Sequence, residues 1–189
     1  MADILDDESA MLRACELASC CEPVDRAFNV GAVLTSAAGE VLATGFSREL
    51  EGNTHAEECC FIKLEKEGRL AEARGGTMFS SMEPCSVRLS GERPCTDRCL
   101  EAGVARVVLA IEEPANFVTC EGVAKLRAGG LTVVRWEDER CAAMAAAANA
   151  HLSAEPAGTP APAVAPASRE APAAGPDAAP GAAASAGTE

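Results

Sequence analysis

The sequence predicts a layered α/β domain followed by a disordered C-terminal tail. Short β-rich apolar runs alternate with stretches whose apolar residues recur at helical spacing. Such alternation favours a three-layer αβα arrangement, with helices covering both faces of a sheet. From Ser153 to Glu189 the chain is mostly Ala, Pro, Gly and Ser without an aromatic residue, so it cannot bury enough apolar surface to offset its chain entropy. We therefore predict one domain over residues 1–152 and a disordered tail over residues 153–189.

The first half of the domain is predicted to contain two helices and two strands. Apolar residues at helical spacing precede Pro23, which lies beyond the end of the first helix. Two β-rich runs follow, joined by an Ala-Ala-Gly-Glu connection that is typical of a hairpin. Asn53 and Thr54 are candidate caps for the second helix, and Gly68 is its stop signal. The predicted elements are helix 7–21, strand 29–35, strand 41–46 and helix 55–67.

The second half continues the alternation. Pro94 stands at the start of a helical pattern and Gly103 at its end, which is the usual asymmetry of helix termini. A strongly apolar run after Gly103 indicates a buried strand. The last helix is rich in alanine. The predicted elements are strand 77–82, helix 94–102, strand 104–111, helix 120–128, strand 131–136 and helix 137–151.

Three residues near the ends of these elements could ligate a metal. His55 begins a predicted helix, Cys85 follows a strand, and Cys95 lies in the first turn of another helix. One imidazole and two thiolates can hold Zn²⁺ tetrahedrally with the fourth position open, as in catalytic zinc sites. The positive ends of two helix dipoles would favour the thiolate forms. We predict a zinc site from these three residues, with Cys99, one turn after Cys95, as an alternative ligand.

Glu57 is the predicted catalytic residue. It follows His55 by two residues and is free to carry protons between a water molecule and a substrate nitrogen. A His-x-Glu motif followed by two Pro-Cys motifs is typical of zinc deaminases, in which this Glu is not a ligand. Nine residues separate Cys85 from Cys95, whereas the usual motif has two. The pattern favours replacement of an amino group by water at an amidine-like ring carbon.

Charge and composition bear on the substrate. The formal net charge is −13 and aromatic residues make up 3% of the chain, whereas proteins that bind nucleic acid are usually basic and present aromatic residues to the bases. The composition therefore disfavours nucleic acid as a partner and favours a small molecule. Arg88, Arg93 and Arg98 surround the two cysteines. They form either a solvated surface or a clamp for a phosphate group.

The chain has no predicted membrane segment and is expected to be cytoplasmic. Its N-terminus is acidic and lacks the apolar core of a signal peptide, and no apolar run is long enough to span a bilayer. The chain contains 10 cysteines. We expect those outside the metal site to pack as small apolar residues in a reducing compartment. His151 is predicted to be a surface or capping residue.

Four stretches resemble the deaminase half of riboflavin-biosynthesis enzymes, in the cytidine deaminase-like superfamily. They are 54–57 (Thr-His-Ala-Glu), 80–86 (Ser-Ser-Met-Glu-Pro-Cys-Ser), 94–97 (Pro-Cys-Thr-Asp) and 102–108 (Ala-Gly-Val-Ala-Arg-Val-Val). Residues 86–91 (Ser-Val-Arg-Leu-Ser-Gly) look closest to stand-alone eukaryotic forms. The resemblance extends over roughly residues 27–134. It implies a mixed sheet of about five strands between helices and a homodimer or higher homo-oligomer.

The resemblance also implies a substrate, namely a diaminopyrimidine that carries a ribosylamino or ribitylamino 5′-phosphate. In this sequence Asn29, Glu51 and Asn116 could hold the ring, and Arg88 or Arg93 the phosphate. The sequence leaves three other functions open. The first is that of a cytidine or deoxycytidylate-type nucleotide deaminase. The second is that of a tRNA adenosine deaminase, which the negative net charge disfavours, and the third is that of a catalytically silent zinc-binding subunit that supports a partner.

The chain departs from the family pattern at several points. Only the Ala/Pro-rich tail follows the deaminase region, where the bifunctional bacterial enzymes have a reductase domain. Val87 stands where the bacterial enzymes have a histidine, and Ala27 where they have an asparagine. These changes leave the expected zinc chemistry intact, but not the choice of pyrimidine.

Overall fold

The computed structural model describes residues 3–90, 92–114 and 120–152. In chain order the elements are α1 Asp7–Ala18, β1 Gly31–Thr35, β2 Val41–Phe46, α2 Ala56–Lys66, β3 Thr77–Met82, α3 Cys95–Ala102, β4 Arg106–Ile111, α4 Gly122–Ala128, β5 Thr132–Arg135 and α5 Glu139–Ala148. Short 3₁₀ turns cover Leu70–Ala73 and Ala150–Leu152. The tail predicted to be disordered lies outside the described residues.

The five strands form one mixed sheet in the order β2-β1-β3-β4-β5. The β1 strand is antiparallel to both β2 and β3, whereas β3, β4 and β5 run parallel. Ser80 of β3 lies between Ala32 of β1 and Leu109 of β4. The prediction of a mixed sheet of about five strands is confirmed.

Each face of the sheet is covered by helices, which confirms the three-layer arrangement. Successive side chains of a strand point to opposite faces, so Val33 of β1 packs with α1 and α5, while Ala32 and Leu34 pack with α2. Phe61 and Leu64 of α2 are fully buried in the core between α2 and the sheet. The β1 strand is buried along its whole length, as expected for a strand with helices on both sides.

Side-chain caps and a glycine define several helix ends. Asp6 accepts a hydrogen bond from the Ser9 N–H (2.8 Å) at the start of α1, and Asp138 caps α5 in the same way. The α3 helix ends at Gly103, whose φ of 71° is readily adopted by glycine. The closing helix is shorter than predicted, because residue 151 belongs to a separate 3₁₀ turn. There the His151 Nε2 lies 3.4 Å from the Ala27 carbonyl oxygen.

Most of the cysteines outside the predicted metal site pack in the interior. Six of these eight are buried, whereas Cys20 is exposed and Cys120 is partly buried. The prediction that they act mainly as small apolar residues is therefore correct for the six buried ones. Within the described residues, no helix combines the length and the apolar character needed to cross a membrane.

Candidate active site

The three predicted ligands meet at one end of the sheet. His55 immediately precedes α2, Cys95 is the first residue of α3, and Cys85 follows the end of β3. Their ligand atoms all lie within 4.8 Å of one another. The His55 Nδ1 is 3.4 Å from the Cys85 Sγ and 3.7 Å from the Cys95 Sγ. Cys99 is buried in the core beside α2 and is not a member of this cluster.

A glycine in β2 allows α2 to approach the sheet closely enough to bring His55 into the cluster. A Cβ atom at Gly45 would lie 2.3 Å from the Ala56 carbonyl oxygen and 2.9 Å from the Cys59 Cβ. Both distances are shorter than atoms can tolerate without a shift of the backbone. The position of the first turn of α2, and with it His55, therefore depends on a residue without a side chain.

The donor set fits zinc. Two cysteine sulfurs and one imidazole nitrogen are the ligands that Zn²⁺ takes in open, catalytic sites. The pKa of Cys85 falls to about 4 because the Cys95 side chain donates a hydrogen bond to its sulfur and because His55 lies beside it. The Cys95 N–H also points at this sulfur, at 3.3 Å. Cys85 is thus held as the thiolate, the form that binds metals.

Glu57 is buried next to this cluster, and its carboxyl is fixed by β3. The Ser80 Oγ donates a 2.9 Å hydrogen bond to the Glu57 Oε1, and both side chains are almost inaccessible to solvent. Burial raises the pKa of Glu57 above its usual value. A carboxyl group whose pKa is raised by burial is better suited to carrying protons than an exposed one. Ser80 was not predicted from the sequence, although a serine within a buried strand is a signal for a polar partner.

Glu58, the neighbour of Glu57, binds two arginines and was also missed. Its Oε2 accepts hydrogen bonds from the Arg88 Nη1 (2.7 Å) and from the His55 backbone N–H (3.1 Å). Its Oε1 accepts a hydrogen bond from the Arg98 Nη2 at 2.6 Å. These contacts lower the pKa of Glu58, although burial opposes them. Glu58 is the counter-charge for two of the arginines that cluster around the cysteines.

The predicted phosphate-binding arginines lie in different environments. Arg88 is buried, and besides Glu58 it binds the Asn53 carbonyl oxygen at 2.7 Å. Arg93 is about half exposed, with 52% of its side chain accessible, and pairs with Glu101 at 2.6 Å. Arg93 can therefore exchange its partner for a ligand more easily than Arg88 can.

Of the residues predicted to hold the ring, Asn29 and Glu51 lie in different environments. Asn29 is buried, its Nδ2 donates to the Ala148 carbonyl oxygen (3.0 Å), and its Oδ1 accepts from Arg48. Glu51 is exposed in the turn that precedes α2. Asn116 lies outside the described residues. Their roles in substrate binding stay predictions.

Glu83 secures the connection between β3 and Cys85. Its two carboxylate oxygens accept hydrogen bonds from the backbone N–H groups of Val123 (2.8 Å) and Glu113 (3.2 Å). At Gly122 a Cβ atom would lie 2.1 Å from the Pro84 carbonyl oxygen, so α4 packs directly against this segment. Burial raises the pKa of the nearby Glu113 to about 7.

Comparison with known proteins agrees with this site. Residues 5–111 match the model of the cytidine and deoxycytidylate deaminase zinc-binding region. The match spans more than half of the chain and includes the three ligands and Glu57. The chain belongs to the cytidine and deoxycytidylate deaminase zinc-binding family. Zinc is therefore the metal expected in this chain at His55, Cys85 and Cys95.

Individual relatives of this chain have names from riboflavin biosynthesis. The chain is 46% identical over 127 residues, 67% of its length, to the diaminohydroxyphosphoribosylamino-pyrimidine deaminase of Schizosaccharomyces pombe, and it covers 31% of that protein. It spans less than a third of the length of the curated relatives that it matches.

Two solved structures are also similar. The Rib2 deaminase of Aspergillus oryzae in complex with DARIPP gives a TM-score of 0.59 at 28% identity, over 67% of this chain and 81% of the other. A diaminohydroxyphosphoribosylaminopyrimidine deaminase/reductase from Thermotoga maritima gives 0.63 at 32% identity, over 75% of this chain and 38% of the other. The comparisons thereby establish the fold and the family of the chain.

Proposed function

We propose that the chain catalyses the zinc-dependent hydrolytic deamination of a phosphorylated diaminopyrimidine intermediate of riboflavin biosynthesis. The observation that carries the proposal is the buried Glu57, held by Ser80 beside three convergent zinc-type ligands. This arrangement suits the exchange of an amino group for water. The riboflavin-pathway substrate is supported by the names of the Schizosaccharomyces pombe and Thermotoga maritima relatives and by the ligand in the Aspergillus oryzae structure.

The chemistry of the proposed reaction assigns a distinct task to Glu57. Zn²⁺, when bound by His55, Cys85 and Cys95, supplies a Lewis acid that lowers the pKa of a water molecule. The Glu57 carboxylate accepts a proton from the attacking water and delivers it to the amino nitrogen of the substrate. A bond forms between the water oxygen and the ring carbon, the bond from that carbon to the amino nitrogen breaks, and ammonia leaves. Ser80 holds the Glu57 Oε1 in place during both transfers.

The substrate contacts in this proposal are Asn29, Glu51 and Asn116 for the ring and Arg88 or Arg93 for the phosphate. Arg93 is favoured for the phosphate because its guanidinium is half exposed and, among the residues that the structure describes, pairs with the exposed Glu101 alone. A guanidinium group matches the geometry of phosphate oxygens through two parallel N–H donors. The homo-oligomeric state and the cytoplasmic location belong to the same proposal.

A nucleotide deaminase is the second candidate, because the matching family model also covers enzymes for cytidine and deoxycytidylate. The two activities share the metal ligands and Glu57, and they differ in the ring and sugar that the pocket accepts. The presence of Glu57 disfavours a silent supporting subunit, since such a subunit has no need of a buried carboxyl beside the ligands.

The decisive experiment compares substrates on the purified, zinc-loaded chain. Ammonia release is measured with the diaminopyrimidine 5′-phosphate in its ribosylamino and ribitylamino forms, with CMP and with dCMP. The highest kcat/KM is expected for one of the two diaminopyrimidines, and Glu57→Gln should strongly reduce ammonia release from it. A higher kcat/KM with CMP or dCMP would replace the proposed substrate by a nucleotide.

A further inference from the structure

One carboxylate, that of Glu58, contacts all three segments that carry the metal ligands. It accepts a hydrogen bond from the backbone N–H of His55, the first ligand. Arg88, which binds its Oε2, lies three residues after Cys85. Arg98, which binds its Oε1, lies three residues after Cys95 in α3. Each ligand-bearing segment is therefore attached to the same side chain.

These attachments are shielded from solvent. The exposed fractions of the side chains are 7% for Glu58, 4% for Arg88 and 13% for Arg98. Charge-assisted hydrogen bonds are stronger in such surroundings than at an exposed surface, where water competes for both partners. By contrast, the ion pairs of Arg69 with Glu67 and Glu72 are largely exposed.

These contacts join ligand-bearing segments that are far apart in the sequence. His55 and Cys85 are 30 residues apart, and the described residues between Cys85 and Cys95 belong to neither helix nor strand. Arg88 also binds the carbonyl oxygen of Asn53, two residues before His55. The loop between the cysteines is thus joined to the start of α2 at two points, and both involve the guanidinium of Arg88.

We propose that Glu58 is a positioning residue of the metal centre, which holds the three ligand-bearing segments in the arrangement that binds zinc. The inference rests on the metal centre of the proposed function but not on its substrate. Residues that orient the ligands of a metal site typically contribute 10–100-fold to metal affinity. Glu58 differs from the usual orienting group because it acts on the segments rather than on the ligand side chains themselves.

The test is the rate of zinc release to a chromophoric chelator, together with the equilibrium zinc affinity. Glu58→Gln keeps the size of the side chain but puts an amide in place of the carboxylate that both arginines share. We expect zinc affinity to fall by about 10–100-fold and release to be correspondingly faster. Glu72→Gln, which alters the exposed pair with Arg69, is the matched control and should release zinc at the wild-type rate.

A second control separates positioning from general destabilisation. Asn149→Ala removes buried hydrogen bonds between α5 and Asn29, so it should lower the free energy of unfolding without changing zinc release. If Glu58→Gln does not fold, Arg98→Lys provides the measurement, because lysine keeps the charge but loses the planar geometry of the guanidinium. It should release zinc faster than Arg69→Lys.

Two results would overturn the proposal. Wild-type zinc affinity in Glu58→Gln, or in Arg98→Lys where that variant is used, would overturn the proposal. So would equally fast zinc release from Asn149→Ala, because the effect would then follow stability rather than position. Failure to deaminate the diaminopyrimidine would overturn the proposed function alone, since zinc release is measured without substrate.

Discussion

The Ser80 hydroxyl donates a 2.9 Å hydrogen bond to the Glu57 Oε1, so this carboxyl in the first turn of α2 is held by the central strand of the sheet. One carboxyl oxygen is thereby fixed, and in the proposed reaction the other oxygen transfers the proton. The orientation of a proton carrier matters, because its transfer partner must lie within hydrogen-bonding distance.

Ser80→Ala should therefore lower kcat more than it changes KM. Loss of a hydrogen bond to a charged group costs about 1.5–3 kcal/mol, which corresponds to a decrease in kcat of roughly 10–150-fold. The control is Ser81→Ala on the opposite face of β3, whose Oγ accepts from the Gly31 N–H. It should lower stability and leave kcat near the wild-type value. Equal kcat values for the two variants would contradict the positioning role of Ser80.

Glu57→Gln should reduce turnover by about 10²–10⁴-fold, because the amide retains the size of the carboxyl but cannot carry the proton. Zinc content should stay at one equivalent per chain, since Glu57 is not a ligand. Atomic absorption of the variant and of wild type provides the comparison. Loss of zinc from Glu57→Gln would show that the catalytic and ligand roles have been wrongly divided.

Arg93→Ala should raise KM for the phosphorylated substrate and leave the kinetics of the dephosphorylated analogue nearly unchanged. Loss of one charge-assisted contact should cost about 1.5–3 kcal/mol of transition-state binding. Glu101→Ala removes the partner of Arg93 without removing the guanidinium, and it should not raise KM. Equal damage to both substrates in Arg93→Ala would indicate a role in loop structure instead.

Removal of residues 153–189 should leave kinetics and stability intact, whereas Asn149→Ala should destabilise the domain. The Asn149 side chain accepts from the Asn29 N–H (2.7 Å) and donates to the Asn29 carbonyl oxygen (2.9 Å). Each buried group left unsatisfied costs about 1–3 kcal/mol. Urea denaturation of both variants measures the difference. A large loss of stability on removal of 153–189 would move the domain boundary toward the C-terminus.

Glu113 should make the stability of the domain depend on pH. Its pKa of about 7 in the folded chain lies above its usual value of 4.5, so between these values the unfolded chain loses a proton that the folded chain retains. The free energy of unfolding should decrease as pH rises through this window and then level off. Glu113→Gln has no such proton to lose. The free energy of unfolding of this variant, compared with that of wild type, should therefore increase from pH 5 to pH 8. Urea denaturation of zinc-loaded protein at both pH values, with Glu112→Gln as the exposed control, tests this. A difference that is independent of pH would contradict it.

Local sequence patterns were sufficient for the strands and for the metal ligands. The strands Val41–Phe46 and Thr77–Met82 have the predicted bounds, because turn signals or glycines lie close to their ends. The end of α1 was misplaced by three residues. Pro23 indicates only that a helix has stopped before it, whereas the Ser19 N–H already bonds to Glu16, three residues back, rather than continuing the helix.

Side-chain pairings between elements could not be read from the sequence. Arg88 and Arg98 were recognised as a positive cluster, but their common partner Glu58 is 30 and 40 residues away. Ser80 contacts Glu57 because the register of β3 and the position of α2 place the two side chains on the same face of the sheet. A local charge pattern cannot distinguish a guanidinium that forms an ion pair within the fold from one that can bind a phosphate group.

The reciprocal hydrogen bonds between Asn29 and Asn149 join residues 120 positions apart. During synthesis the backbone groups of Asn29, which precede the central strands, leave the ribosome long before their partner exists. Contacts of such separation form slowly because a long loop must close first. A nascent chain that contains both cysteines of the metal site still lacks Asn149. The Asn29 backbone can therefore gain these two hydrogen bonds only after residue 149 has been synthesised.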